Sequence, residues 1–155
     1  MDVRLIELAP THVAFMRHTG AYGTGVSRFW RERFLPWRTV AGLDHAVCYG
    51  IGHDDPAVTP DAACRYDACV AVPEGFEPAP GVAITHLAGG LHAVATFRGT
   101  PELAAAAWAE LLQGWLPASG WRRDGRPCFE RYDAQALAVD HGMLACELCV
   151  PVERR

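Results

Sequence analysis

Two carboxylates interrupt stretches that otherwise read as buried. In ACELCVPV, residues 145–152, Glu147 stands between Cys146 and Leu148 in an alternating apolar run. In PCFERYD, residues 127–133, Glu130 follows Phe129 and precedes Tyr132 by two. A carboxylate held away from water is costly unless it is paired, hydrogen-bonded or neutralised. Beside aromatic rings it could hold a cation. At an effective dielectric near 20, a unit charge pair about 4 Å apart gains roughly 4 kcal/mol, and an aromatic face adds about 0.5–2 kcal/mol. Large, weakly hydrated organic cations lose least on desolvation, so they would be preferred. The same acid could instead act as a general base, because burial raises its proton affinity toward the neutral range. Glu147 is the candidate for that role.

Alternation in a strand puts Cys128, Glu130 and Tyr132 on one face, and Ala145, Glu147 and Cys149 on one face of the last strand. Whether the two glutamates project together depends on register, which local pattern does not set. In RYDACVAVP, Asp67 shares a face with Cys69 and Ala71, opposite Tyr66. Asp67 and Asp133 are read as acids on the solvated face of an antiparallel sheet, which need no further role.

Other constellations carry less. His53-Asp54-Asp55 has metal-like composition but lies in the loop-like GHDDPAVTPDAA and is read as a solvated turn. Cys146-x-x-Cys149 has no second pair, and in a strand its two thiols face opposite ways, so small core residues are favoured over a zinc or redox site. No P-loop, GxSxG or GxGxxG is present. No metal and no cofactor is expected.

The elements that position these groups come from a repeat. DVRLIELAPTHVAFMRHTG from Asp2 aligns with GVAITHLAGGLHAVATFRG from Gly81, and Trp37/Trp115, Gly42/Gly120 and Pro73/Pro151 continue the match. The reading is one domain of two modules, 1–73 and 81–155, joined by a Pro/Gly-rich linker at 74–80. Each module reads as strand, strand, helix, strand, strand, with strands near 3–8, 12–18, 46–52 and 65–72, then 82–87, 92–98, 127–133 and 144–150. The first helix is placed near 23–35, with Val26, Trp30 and Phe34 inward, and Pro36 is expected to interrupt it. The second starts at Thr100-Pro101-Glu102, with Thr100 as cap. It turns Ala104, Trp108, Leu111, Leu112 and Trp115 inward, and Gly114 and Pro117 are expected to end it. The fold class is α+β: antiparallel sheet units, each with a helix on one face, related by a pseudo-twofold axis, with a ligand groove between the halves.

Composition narrows the function. The chain has 155 residues, 50% hydrophobic, with a formal net charge of −4 and no lysine among its fourteen basic residues. That balance argues against direct nucleic-acid binding, which needs a clustered basic footprint. The one arginine-dense stretch, Arg122-Arg123-Asp124-Gly125-Arg126, reads as an exposed turn. No apolar run is long enough to span a bilayer, and the N-terminus lacks a signal-peptide core. A cytoplasmic location with reduced cysteines is expected.

RHTGAYG at 17–23, YGIGHDDPAVTPDAACRYDACVAVP at 49–73, the GG at 89–90, PCFERYD at 127–133 and CELCVPV at 146–152 together resemble the GyrI-like small-molecule-binding family. That family includes the bacterial DNA gyrase inhibitor protein and effector-binding domains of AraC- and MerR-type multidrug-responsive regulators. The resemblance implies a groove for amphipathic, often cationic compounds, anchored by a glutamate among aromatics. It carries that role to Glu130, with Glu147 as second acid and Tyr22, Tyr66, Tyr132 and Trp115 as aromatic neighbours. It leaves three readings open: a stand-alone binder in drug or toxin sensing or sequestration, a hydrolase of cyclopropane-bearing natural products using Glu147, or a partner of DNA gyrase. No helix-turn-helix is present, so any role in transcription would run through a separate regulator.

Overall fold

A computed structural model describes residues 1–133 and 143–155. The strands are β1 (Val3–Leu8), β2 (Thr11–Thr19), β3 (Cys48–Gly52), β4 (Arg65–Ala71), β5 (Ala83–Leu87), β6 (Gly90–Gly99), β7 (Trp121–Arg123), β8 (Phe129–Tyr132) and β9 (Leu144–Arg154). They form one curled antiparallel sheet in the order β1-β6-β9-β8-β3-β4-β2-β5, with β7 paired to the end of β9. The expectation of separate sheet units is therefore corrected. β1 pairs with β6, and β5 pairs with β2, so each of the two stretches 1–73 and 81–155 lends its first strand to the other. A strand edge left unpaired is a liability, and this exchange covers the outer edges of β6 and β2. The repeat itself stands as a reading of the sequence.

Two helical stretches lie on one face of the sheet. The first runs α1 (Thr24–Phe29), a π-helical segment Trp30–Phe34, and α2 (Leu35–Val40). The second runs α3 (Pro101–Ala109), a π-helical segment Glu110–Trp115, and α4 (Leu116–Ala118). Pro36 and Pro117 were expected to stop these helices, but each chain continues helically past its proline. A proline removes one N–H and crowds the carbonyl four residues back. The wider π turn just before each proline absorbs that loss without breaking the stretch. Thr100 makes no side-chain cap bond, and its carbonyl accepts instead from the Leu103 N–H. No helix among the described residues is long and apolar enough to cross a membrane.

Alternation along the strands divides the apolar side chains into two layers. Under the helices lie Ala14, Cys48, Ala68, Val70, Phe97, Cys146, Leu148 and Val150, joined by Phe34, Leu111 and Leu116 from the helices. Ala104, Trp108, Leu112 and Trp115 pack against this layer, as their helical spacing requires. On the opposite face Val13, Tyr49, Ile51, Cys69, Leu87, Val94, Phe129 and Cys149 form the second layer. The β1–β2 and β5–β6 turns close over this side. They meet at Gly89, where a Cβ would stand 2.5 Å from the Leu8 carbonyl oxygen. Arg122 and Arg123, expected in an exposed turn, lie instead in β7 against Glu153 and Val152.

Candidate functional site

Strands β3 and β8 pair at the middle of the sheet, with Gly50 directly opposite Glu130. Glu130 points to the helix-covered face and is partly buried. The Tyr132 hydroxyl donates to its Oε2 at 2.7 Å, and the Tyr66 hydroxyl reaches Oε1 at 3.4 Å. Trp30, from the π segment of the first helical stretch, donates its Nε1–H to the Tyr66 hydroxyl at 3.1 Å. The Trp30 ring stands edge-on to Tyr132 at 5.8 Å and to Tyr66 at 6.5 Å, and Tyr22 stands edge-on to Tyr66 at 6.2 Å. Among the described residues no cationic group pairs with Glu130. Burial raises its proton affinity above that of an ordinary glutamate, and the two tyrosine hydroxyls offset this only in part. Burial, and then the facing carboxylate, hold the Tyr66 and Tyr132 hydroxyls well above the usual tyrosine range, so both act as donors.

Gly50 makes this arrangement possible. A Cβ there would overlap the Tyr66 hydroxyl and lie 3.3 Å from Glu130 Oε1. The phenol of β4 thus crosses the bare backbone of β3 to reach the acid on β8. Cys146, on β9, faces the same side, and its thiol is pushed up by burial and by the nearby Glu130.

The second acid is placed differently. Glu147 lies opposite Arg131 in the β8–β9 pair, on the face away from the helices. Its Oε1 accepts from Arg131 at 2.6 Å and its Oε2 from Arg4 at 2.9 Å. The two glutamates therefore do not share a site. A cavity of about 130 Å³ opens on this far face, lined by Leu8, Thr11, Tyr49, His92, Phe129 and Arg131 among others. It does not include Glu130, whose own surroundings are occupied by Trp30, Tyr66 and Tyr132.

Asp67, expected on a solvated face, is only 3% exposed. Arg17 clasps both its oxygens at 2.8 and 3.0 Å, and His53 Nε2 lies 2.6 Å from Oδ2. Burial alone would raise its proton affinity, but these partners outweigh it and lower the pKa. The turn at 53–55 is likewise built in. Asp54 accepts from the Arg65 guanidinium and backbone N–H, and those bonds bring its carboxyl down to about 2. The Asp54 N–H donates to the Tyr22 hydroxyl, which donates in turn to the Arg65 carbonyl at 2.5 Å. Tyr22 is thus fixed at one end of the aromatic group. Asp133 is exposed.

Tyr66, Tyr132 and, through Tyr66, Tyr22 are brought to Glu130. Trp115 packs on the common core from the second helical stretch, and no contact with Glu130 is among those described. Trp30 was placed on an inner helix face by its spacing but not assigned to the site. No spacing in the sequence tied it to the acid, since its indole meets Tyr66 and Tyr132 only once β4 and β8 flank β3. The six cysteines are free thiols, and no group of three or more metal-binding side chains occurs among the described residues.

A curled antiparallel sheet under two helical stretches, with a half-buried acid ringed by aromatics at its centre, defines a class of small-molecule-binding domains. Residues 1–153 match the model of the GyrI-like small molecule binding domain, and the chain belongs to that family. It is 35% identical over 159 residues to a DNA gyrase inhibitor of Edwardsiella piscicida, covering 99% of both chains. The EcmrR C-terminal domain superposes with a TM-score of 0.76 at 14% identity, covering 99% of this chain and 98% of that one. The structure of SAV2435 bound to tetraphenylphosphonium gives a TM-score of 0.61 at 17% identity, covering 99% and 94%.

Proposed function

We propose that the protein binds lipophilic organic cations at Glu130 and acts in sensing or sequestering drugs or toxins. One observation carries the reading. Among the described residues Glu130 is a partly buried carboxylate without a cationic partner, held by neutral hydroxyls beside aromatic rings. Such a group has an uncompensated charge that a large organic cation would complete. The tetraphenylphosphonium bound by SAV2435 is a ligand of this chemistry. Trp30 would swing from Tyr66 to face the ligand, and Tyr132 would keep the carboxylate aimed.

A hydrolytic role through Glu147 has less support. Both its oxygens are engaged by guanidinium groups, which leaves it poorly placed to take a proton from water. A second reading rests on the relative named for gyrase inhibition: this chain would meet DNA gyrase as a protein partner. It predicts loss of supercoiling activity when the protein is in excess.

The test is titration of tetraphenylphosphonium into wild type and Glu130→Gln by calorimetry. Removing the charge is expected to weaken binding at least tenfold, about 1.4 kcal/mol. Equal affinities would refute the assignment.

A further inference from the structure

Outside this site, a pair of ligating side chains among the described residues stands without a role. In the β2–β5 ladder His12 lies directly opposite His86. Their rings are 5.2 Å apart and tilted by 58°. Neither imidazole makes a hydrogen bond or ion pair among the described residues. His86 is exposed on β5, the last strand of the sheet, while His12 is half-buried on β2. We infer that His12 and His86 form a two-imidazole clamp for a divalent transition cation, which ties the edge strand β5 to β2.

The geometry suits such an ion. Opposed residues of an antiparallel pair hold their Cβ atoms about 4.5–5.5 Å apart, so both side chains leave the sheet together. With Zn–N bonds of about 2.0–2.1 Å and a tetrahedral angle, the two nitrogens must stand about 3.3–3.4 Å apart. Each ring nitrogen lies about 1 Å from its ring centre, so rings at the present spacing reach that separation by rotating about their side-chain bonds. Imidazole favours zinc, copper and nickel over magnesium or calcium. β5 ends the sheet and His86 is exposed, so water can fill the remaining positions. The strand gains from such a tie: Ala83, Ile84, Thr85 and His86 are all exposed, and only Leu87 is buried. Beyond its ladder to β2, β5 is held by the buried Val82 and Leu87 at its ends, so a metal tie would add to an anchor that leaves its middle open.

The experiment titrates Ni²⁺ into the full chain and follows the ring signals of all seven histidines by NMR. His12 and His86 are expected to broaden first and together, at metal concentrations that leave the other rings sharp. In His86→Gln, an exposed substitution that leaves the core intact, the broadening of His12 is expected to require at least tenfold more metal. In parallel, Zn²⁺ is expected to raise the melting temperature of wild type and not that of the variant. Uniform broadening of every imidazole, or unchanged broadening of His12 in the variant, would overturn the clamp and leave two independent surface histidines.

Discussion

At the scale of single residues, the fold gives its acids opposite environments. Glu130 has a raised pKa because burial disfavours its charge, and the Tyr132 and Tyr66 hydroxyls offset this only in part. Its charged form therefore costs the folded state. A raised pKa means stability is fullest below the unfolded value and falls as pH rises through the folded one. Glu130→Gln should then be more stable than wild type at pH 7, by about 1.4 kcal/mol for each tenfold change in proton affinity, and lose that advantage at acid pH. Urea titrations at pH 4 and 7 measure it. The same linkage acts on the ligand. A fixed-charge cation needs the carboxylate, so its affinity should fall as pH drops through the folded pKa, and binding there should release a proton. Asp67 is the converse, lowered by His53 and Arg17. Its stabilisation is present above the unfolded pKa and is lost as pH falls through the folded one. Asp67→Asn leaves Arg17 and His53 with a neutral partner and should cost about 1–3 kcal/mol by urea denaturation at pH 7.

At the scale of elements, the site depends on three strands and a helix meeting at a glycine. Gly50→Ala should push the Tyr66 hydroxyl off both Glu130 and Trp30, since the added methyl would occupy its place. The expected result is about 1–3 kcal/mol of lost stability from overpacking, with weakened cation binding. A stability loss with unchanged affinity would separate packing from recognition. Most element positions were legible beforehand, because period-2 and period-3.6 patterns are local. The prolines misled. Pro36 and Pro117 read as helix ends, yet tertiary packing of Phe34, Leu111 and Leu116 holds the stretches through a π turn.

At the scale of the whole molecule, the two stretches cannot be parted without unpairing β1 from β6 and β5 from β2. Residues 1–73 and 81–155 expressed separately should therefore lack cooperative folds, while the full chain unfolds in one transition. Circular dichroism melts of the three chains decide this. A cooperative melt of either fragment would contradict the view that the exchanged strands unite the sheet.

The sequence by itself determined which side chains share a face of each strand, that a carboxylate and two phenols fall among apolar neighbours, and the family to which the chain belongs. These follow from neighbours a few residues apart. Only the tertiary structure decided that Glu130 and Glu147 lie on opposite faces, that Asp67 is buried in an ion cluster, and that Trp30 completes the aromatic group. Each of those turns on strand register and on contacts between residues distant in the chain. Such contacts exist only once the whole sheet has closed, so no local pattern encodes them.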